Sequence, residues 1–85
     1  MPRMVTLEVF VEADCWSCAE SRRIVEEIAP QFPQVAIELI DLSTQSRPID
    51  VFAVPTYMLN GEIVSLGNPY PKELQQKIED ALNGV

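Results

Sequence analysis

Val9-Phe10-Val11-Glu12-Ala13-Asp14-Cys15-Trp16-Ser17-Cys18 holds both cysteines of the chain and the change of period on which its fold turns. Upstream, Val5, Leu7, Val9 and Val11 alternate with Thr6, Glu8, Phe10 and Glu12, a two-residue period that predicts a strand whose second face carries one aromatic. Downstream the period lengthens. Cys18, Ser21, Ile24, Val25, Ile28 and Phe32 share one helical face, and Glu20, Arg23, Glu26 and Glu27 share the other. A pair of sulfurs at such a junction suits disulfide exchange, because a thiolate that attacks a disulfide forms a mixed disulfide that a second thiol must resolve. Cys15 would sit at the unsatisfied amide end of the helix, which favours an anion, and Cys18 a turn further in. Cys15 is therefore the expected nucleophile and Cys18 the expected resolving thiol. Asp14, Glu12 and Glu20 oppose ionisation of Cys15, but a carboxylate roughly 7 Å away in a water-like dielectric costs only about 0.6 kcal/mol. The helix end is expected to win, so that Cys15 ionises at lower pH than a free thiol.

Working outward, Pro30 and Pro33 forbid continuation of the helix and should stop it near Ala29. Val35, Ile37, Leu39 and Ile40 predict a second apolar strand ending at Asp41. Strand, helix and strand joined by short turns form a parallel βαβ unit. Leu42 to Val54 reads as a loop or at most one short turn, since Ser43 to Pro48 is polar and broken by proline. Thr56 to Leu59, then Asn60-Gly61, then Glu62 to Leu66 predict a hairpin, because Asn-Gly supplies the positive φ angles of a two-residue turn. Pro71 suits the first position of a last helix with Leu74, Ile78, Ala81 and Leu82 as its apolar stripe, and Asn83-Gly84 ends it. Phe10, Phe32, Phe52, Tyr57 and Met58 are expected in the core. Arg22 and Arg23 are expected on a solvated face, within reach of Glu26 and Glu27.

Eighty-five residues predict one domain over 1–85, close to the size at which a single core still suffices, and a hydrophobic share of 47% is enough to build it. A net charge of −7 without a Lys/Arg cluster argues against nucleic acid and anionic membranes as partners. Met1 to Phe10 lacks the continuous apolar core of a signal peptide, and no stretch approaches the length of a membrane span. The expectation is a cytoplasmic monomer, and in that compartment paired cysteines are redox-active or metal-binding more often than static.

With Cys-X-X-Cys opening the first helix and Val54-Pro55-Thr56 entering the third strand, the β-α-β then β-β-α order resembles the thioredoxin superfamily in its minimal, glutaredoxin-sized form. The resemblance covers nearly the whole chain. It implies an α/β fold with a four-stranded mixed sheet and helices packed on it. The implied activity is that of a thiol-disulfide oxidoreductase with catalytic Cys15 and Cys18. Protein disulfides would be its substrates, a reductase or glutathione its electron donor, and it would need no bound organic cofactor or metal. In that family the proline at position 55 is cis and faces the cysteines, and the residue before it pairs with an extended substrate segment. Val54, Pro55 and Thr56 are thereby implied as a substrate wall. Trp16, an indole following the expected nucleophile, is read as an exposed hydrophobic contact for substrate, the alternative being a lid folded back on the small core. Gly67 and Asn68 fall near where glutaredoxins hold the terminal carboxylate of glutathione.

The chain also departs from the pattern. Thioredoxins place Trp before the first cysteine and Gly-Pro within the motif; here Asp14 precedes it and Trp16-Ser17 lie within. Glutaredoxins place Pro-Tyr or Pro-Phe there. Val9 stands where thioredoxins keep a buried carboxylate, which leaves Glu8, Glu12 or water to take the proton of Cys18. Basic residues that bind glutathione have no counterpart near the motif. Two rival readings follow: a dimer bridging a metal ion or iron–sulfur cluster, since two cysteines without histidine cannot close a zinc site alone, and a non-catalytic partner-binding domain.

Overall fold

The computed structural model describes residues 4–44 and 53–84. Its elements are β1 (Val5–Val11), α1 (Cys18–Ile28) followed by a single 3₁₀ turn (Ala29–Gln31), β2 (Val35–Asp41), β3 (Thr56–Leu59), β4 (Glu62–Leu66) and α2 (Pro71–Leu82). The strands form one mixed sheet in the order β2-β1-β3-β4. β1 runs parallel to β2, pairing Val5 with Val35 through Val11 with Asp41. It runs antiparallel to β3, pairing Leu7 with Leu59 and Phe10 with Thr56. β4 closes the edge as the return arm of a hairpin, with a bulge that leaves Val64 between the partners of Tyr57 and Met58.

The alternation along β1 decides the layering. Val5, Leu7, Val9 and Val11 all point to one face, where they meet Ile24 and Ile28 of α1, Leu74 and Ile78 of α2, Tyr57 and Leu59 of β3, Phe32 and Val35. Each fully buried aliphatic chain contributes roughly 1.5–3 kcal/mol relative to an exposed one, so this face holds most of the stability. Cys18 belongs to the same cluster, which seats its sulfur in the core itself. The opposite face carries a smaller cluster of Phe10 and Met58 against Ile40 and Leu42.

Local signals act as expected. Pro30 sits inside the 3₁₀ turn that ends α1, Asn60 and Gly61 take φ of 51° and 83°, and Pro71 opens α2. Two details differ. Phe32 is buried but lies beyond the helix, because Pro30 tightens the last turn and delivers it from the connection to β2. Arg23 pairs with Glu20 at 2.8 Å and not with Glu26 or Glu27, since Glu20 lies one turn toward the N-terminus on the same exposed face. Positions 45–52, including Phe52 and most of the stretch read as a loop, lie outside the described residues. Among the described residues no helix is long and apolar enough to cross a membrane.

Candidate active site

β1 ends at Val11, and the chain then turns toward α1 through residues 12–17. The turn is built from short-range bonds. The Cys15 amide donates to the Glu12 carbonyl (3.4 Å), the Cys18 amide to the Cys15 carbonyl (3.1 Å) and the Ala19 amide to the Trp16 carbonyl (3.3 Å). Ser17 is the N-cap of α1, yet its side chain caps no amide. Its Oγ lies 3.4 Å from Cys15 Sγ. Cys15 and Cys18 are joined as a disulfide, with Cα atoms 5.2 Å apart. A disulfide sulfur carries no proton, so the Ser17 hydroxyl is the donor in that contact. The two sulfurs differ in access as the sequence implies: Cys18 is 0% exposed, and Cys15 is half-buried. Cys15 lies in the turn before the first helical residue, where the amide end of an 11-residue helix faces it.

The register brings Val54, Pro55 and Thr56 to the same end of the sheet. Thr56 is opposite Phe10, so Pro55 stands level with Val11, where the chain leaves for the cysteines. The Val54–Pro55 peptide bond is cis. Pro55 is buried and its carbonyl accepts from the Gly67 amide at 2.8 Å. Thr56 is also fully buried, and its hydroxyl donates to the Ala53 carbonyl at 2.6 Å. Its side chain therefore braces this segment from the buried side, and Val54 is half-buried and lies outside the strand ladder. Trp16 is 91% exposed.

Further residues surround the turn; of these only Asn68 was singled out from the sequence, and for glutathione rather than for the turn itself. Leu66 (55% exposed) pairs with Thr56 at this end of the sheet, and Tyr70 (75% exposed) lies two residues beyond Asn68. Asn68 reaches under the turn: its Nδ2 donates to the Ser17 carbonyl at 2.8 Å, and its Oδ1 accepts from Ser21 Oγ (2.5 Å) and from the Tyr57 hydroxyl (2.9 Å). Ser21 and Tyr57 are fully buried, and burial pushes the Tyr57 phenol above its usual 10.0, with the bond to Ser21 acting in the opposite sense. The available signal was Ser21 itself, a hydroxyl on the apolar face of a helix, which requires a buried partner. On the other flank Asp41 accepts from the Ser43 amide at 2.8 Å, and the Ser43 hydroxyl accepts from the Ala13 amide at 3.1 Å. The Ser43 amide, then its hydroxyl, hold the Asp41 carboxyl below its usual 3.8, with Arg22 adding to the effect. Val9, at the position expected to lack a carboxylate, is fully buried in the main cluster. Among the described residues no group of three or more His, Cys, Asp or Glu is placed to hold a metal ion.

Comparison with known proteins agrees with this geometry. Residues 5–79 match the thioredoxin domain family. A thioredoxin of Methanocaldococcus jannaschii is 30% identical over 83 residues, covering 92% of this chain and 96% of that protein. Among solved structures, a mutant thioredoxin from Halobacterium salinarum NRC-1 superimposes with a TM-score of 0.78 at 28% identity, covering 92% of this chain and 74% of that one. Thioredoxin from Trypanosoma brucei brucei gives 0.76 at 26% identity, covering 94% and 76%.

Proposed function

We propose that this chain, which belongs to the thioredoxin domain family and is a thiol-disulfide oxidoreductase, passes electrons to protein disulfides and is recharged by the dithiol of a reductase. The observation that carries the reading is the unequal pair of sulfurs: Cys15 at the rim and Cys18 in the core, one turn apart at a helix end. In the reduced protein the Cys15 thiolate attacks one sulfur of a substrate disulfide. The substrate S–S bond breaks, and the departing thiolate takes a proton from water. Cys18 then loses its proton to water and attacks Cys15 Sγ in the mixed disulfide. The second substrate thiolate leaves, and the Cys15–Cys18 disulfide forms. Two electrons have moved from the dithiol to the substrate.

The surroundings fit a polypeptide. Val54 offers backbone outside the sheet ladder, to which an extended segment can add, and Trp16, Leu66 and Tyr70 supply apolar contact around it. Thr56 and Pro55 hold that wall in place from the buried side. The donor assignment rests on charge. Glu12, Asp14 and Glu20 lie in or next to the cysteine turn of a chain with net charge −7, an unfavourable setting for glutathione, a net anion. A reducing compartment, the cytoplasm, keeps such a dithiol charged.

The test is reductase-coupled turnover of a protein disulfide such as insulin, run beside glutathione as donor. Cys15→Ser should abolish turnover, and Cys18→Ser should attack once and accumulate a mixed disulfide. Faster turnover with glutathione would replace the reductase as donor. Full turnover by Cys15→Ser, or none by the unaltered protein with either donor, would overturn the reading.

A further inference from the structure

We propose that Asn68 is a positioning residue for the dithiol: its bond to the Ser17 carbonyl holds the Trp16–Cys18 turn in the closed geometry in which Cys18 reaches Cys15. The orientation of this amide is determined by its neighbours. Ser21 and Tyr57 both present hydroxyls to Oδ1, and the atom facing the Ser17 carbonyl must be a donor. The flipped amide would set oxygen against oxygen there, so only Nδ2 can face Ser17. Asn68 is anchored on the far side as well. Two of its partners, Ser21 and Tyr57, are fully buried, and the adjoining Gly67 amide is held by the Pro55 carbonyl at 2.8 Å. The Gly67-Asn68 step thus ties the substrate wall to the cysteine turn.

The turn depends on such a tether because its own bonds are few. The N-cap makes no side-chain cap, and the Ser17 carbonyl otherwise receives only a long bond, 3.4 Å, from the Ser21 amide. Asn68 donates a shorter bond, 2.8 Å, to the carbonyl of the residue between Trp16 and Cys18. Closure of the disulfide requires Cys18 to be held within reach of Cys15, and small misplacements of reacting groups cost large factors in effective concentration. Releasing the Ser17 carbonyl should therefore weaken the disulfide against a reference couple without touching either sulfur. The inference rests on the dithiol chemistry proposed above.

The experiment measures the equilibrium in which reduced protein and oxidised glutathione give the protein disulfide and two molecules of glutathione, trapped by alkylation at pH 5.5 and 7.5. Asn68→Ala should lower the constant at least about tenfold, equivalent to about 30 mV for a two-electron couple. Asn68→Asp keeps an acceptor for Ser21 and Tyr57, removes the donor to Ser17 and adds a charge, and its constant should fall at both pH values. Should Asn68→Ala fail to fold, the Asp variant decides alone. Melting temperatures of both redox forms are recorded alongside. Constants within twofold of the unaltered protein, with equal falls in melting temperature for the two forms, would mean a merely structural role and overturn the inference. So would a change confined to pH 7.5, which would reflect the added charge acting on a thiolate. Because the equilibrium is read on the protein's own cysteines, it can succeed even if insulin turnover fails.

Discussion

The amide of Ala13 donates to the hydroxyl of Ser43 across 3.1 Å, fastening the loop that delivers Cys15 to the turn that ends β2. Ser43 is itself held by Asp41, whose Oδ1 accepts from its amide at 2.8 Å, and the Leu42 amide bonds to the Val11 carbonyl at 2.8 Å beside them. The cysteine turn is thus tethered on two flanks, by Ser43 from β2 and by Asn68 from the β4–α2 connection.

This flank should loosen in acid. The Asp41 carboxyl lies below its usual 3.8 because the folded state bonds its ionised form. A depressed carboxyl contributes stability that is present above the unfolded value and is lost as pH falls through the lower folded value. The protection of the Ala13 and Ser43 amides relative to their intrinsic exchange rates should fall in that window, below about pH 4. Asp41→Ala should show the faster exchange already at pH 7. Equal protection of both amides in the variant and the unaltered protein at pH 7 would rule the tether out.

Ser17→Ala removes the hydroxyl donated to Cys15 Sγ at 3.4 Å. A hydrogen bond to a charged group is worth about 1.5–3 kcal/mol at good geometry, and this longer contact to sulfur should deliver less. The alkylation rate of reduced Cys15 at pH 6 should fall severalfold in the variant. Its rate-versus-pH curve should move to higher pH while the plateau at high pH stays the same. A changed plateau with an unmoved midpoint would assign Ser17 to access rather than to charge.

Trp16→Ala should separate contact from stability. A side chain 91% exposed adds little to the fold, so the melting temperature should hold and the unfolding free energy stay within about 0.5 kcal/mol. Loss of an aromatic contact of roughly 1.4 kcal/mol should lower kcat/KM for a protein disulfide about tenfold. Reactivity toward a small disulfide, which has no reach to the indole, should change much less. A drop of equal size for both substrates would remove Trp16 from the docking surface.

Tyr57 predicts alkaline behaviour. Its phenol is raised above 10.0, first by burial, so the folded state disfavours the ionised form. Stability from a raised group is complete below the unfolded value and declines as pH climbs through the folded one, here from about pH 10 upward. Tyr57→Phe loses the bond to Asn68 and should be less stable at pH 7 by about 0.5–1.5 kcal/mol. Its urea midpoint should fall less steeply above pH 10 than that of the unaltered chain, so that the two curves converge. Parallel curves would contradict the assignment.

The sequence alone determined the elements and the place of the cysteine pair. The alternation of Val5 to Val11, the helical stripe from Cys18 to Ile28, the Asn60-Gly61 turn and the proline opening α2 each obey rules that act within a few residues, and all appear where those rules put them. Cys-X-X-Cys at the first junction belongs with them, because three positions of separation and a helix start suffice to define its geometry. Only tertiary structure decided what surrounds the sulfurs. Asn68 meets Ser17 and Ser21 across 51 and 47 residues, and Ala13 meets Ser43 across 30. Thr56 is buried while Leu66 and Tyr70 are exposed, because burial on a given face depends on which strands and helices come to lie beside it. Hydrogen-bond partners so distant leave no periodicity in the chain, and the sheet must assemble before they meet.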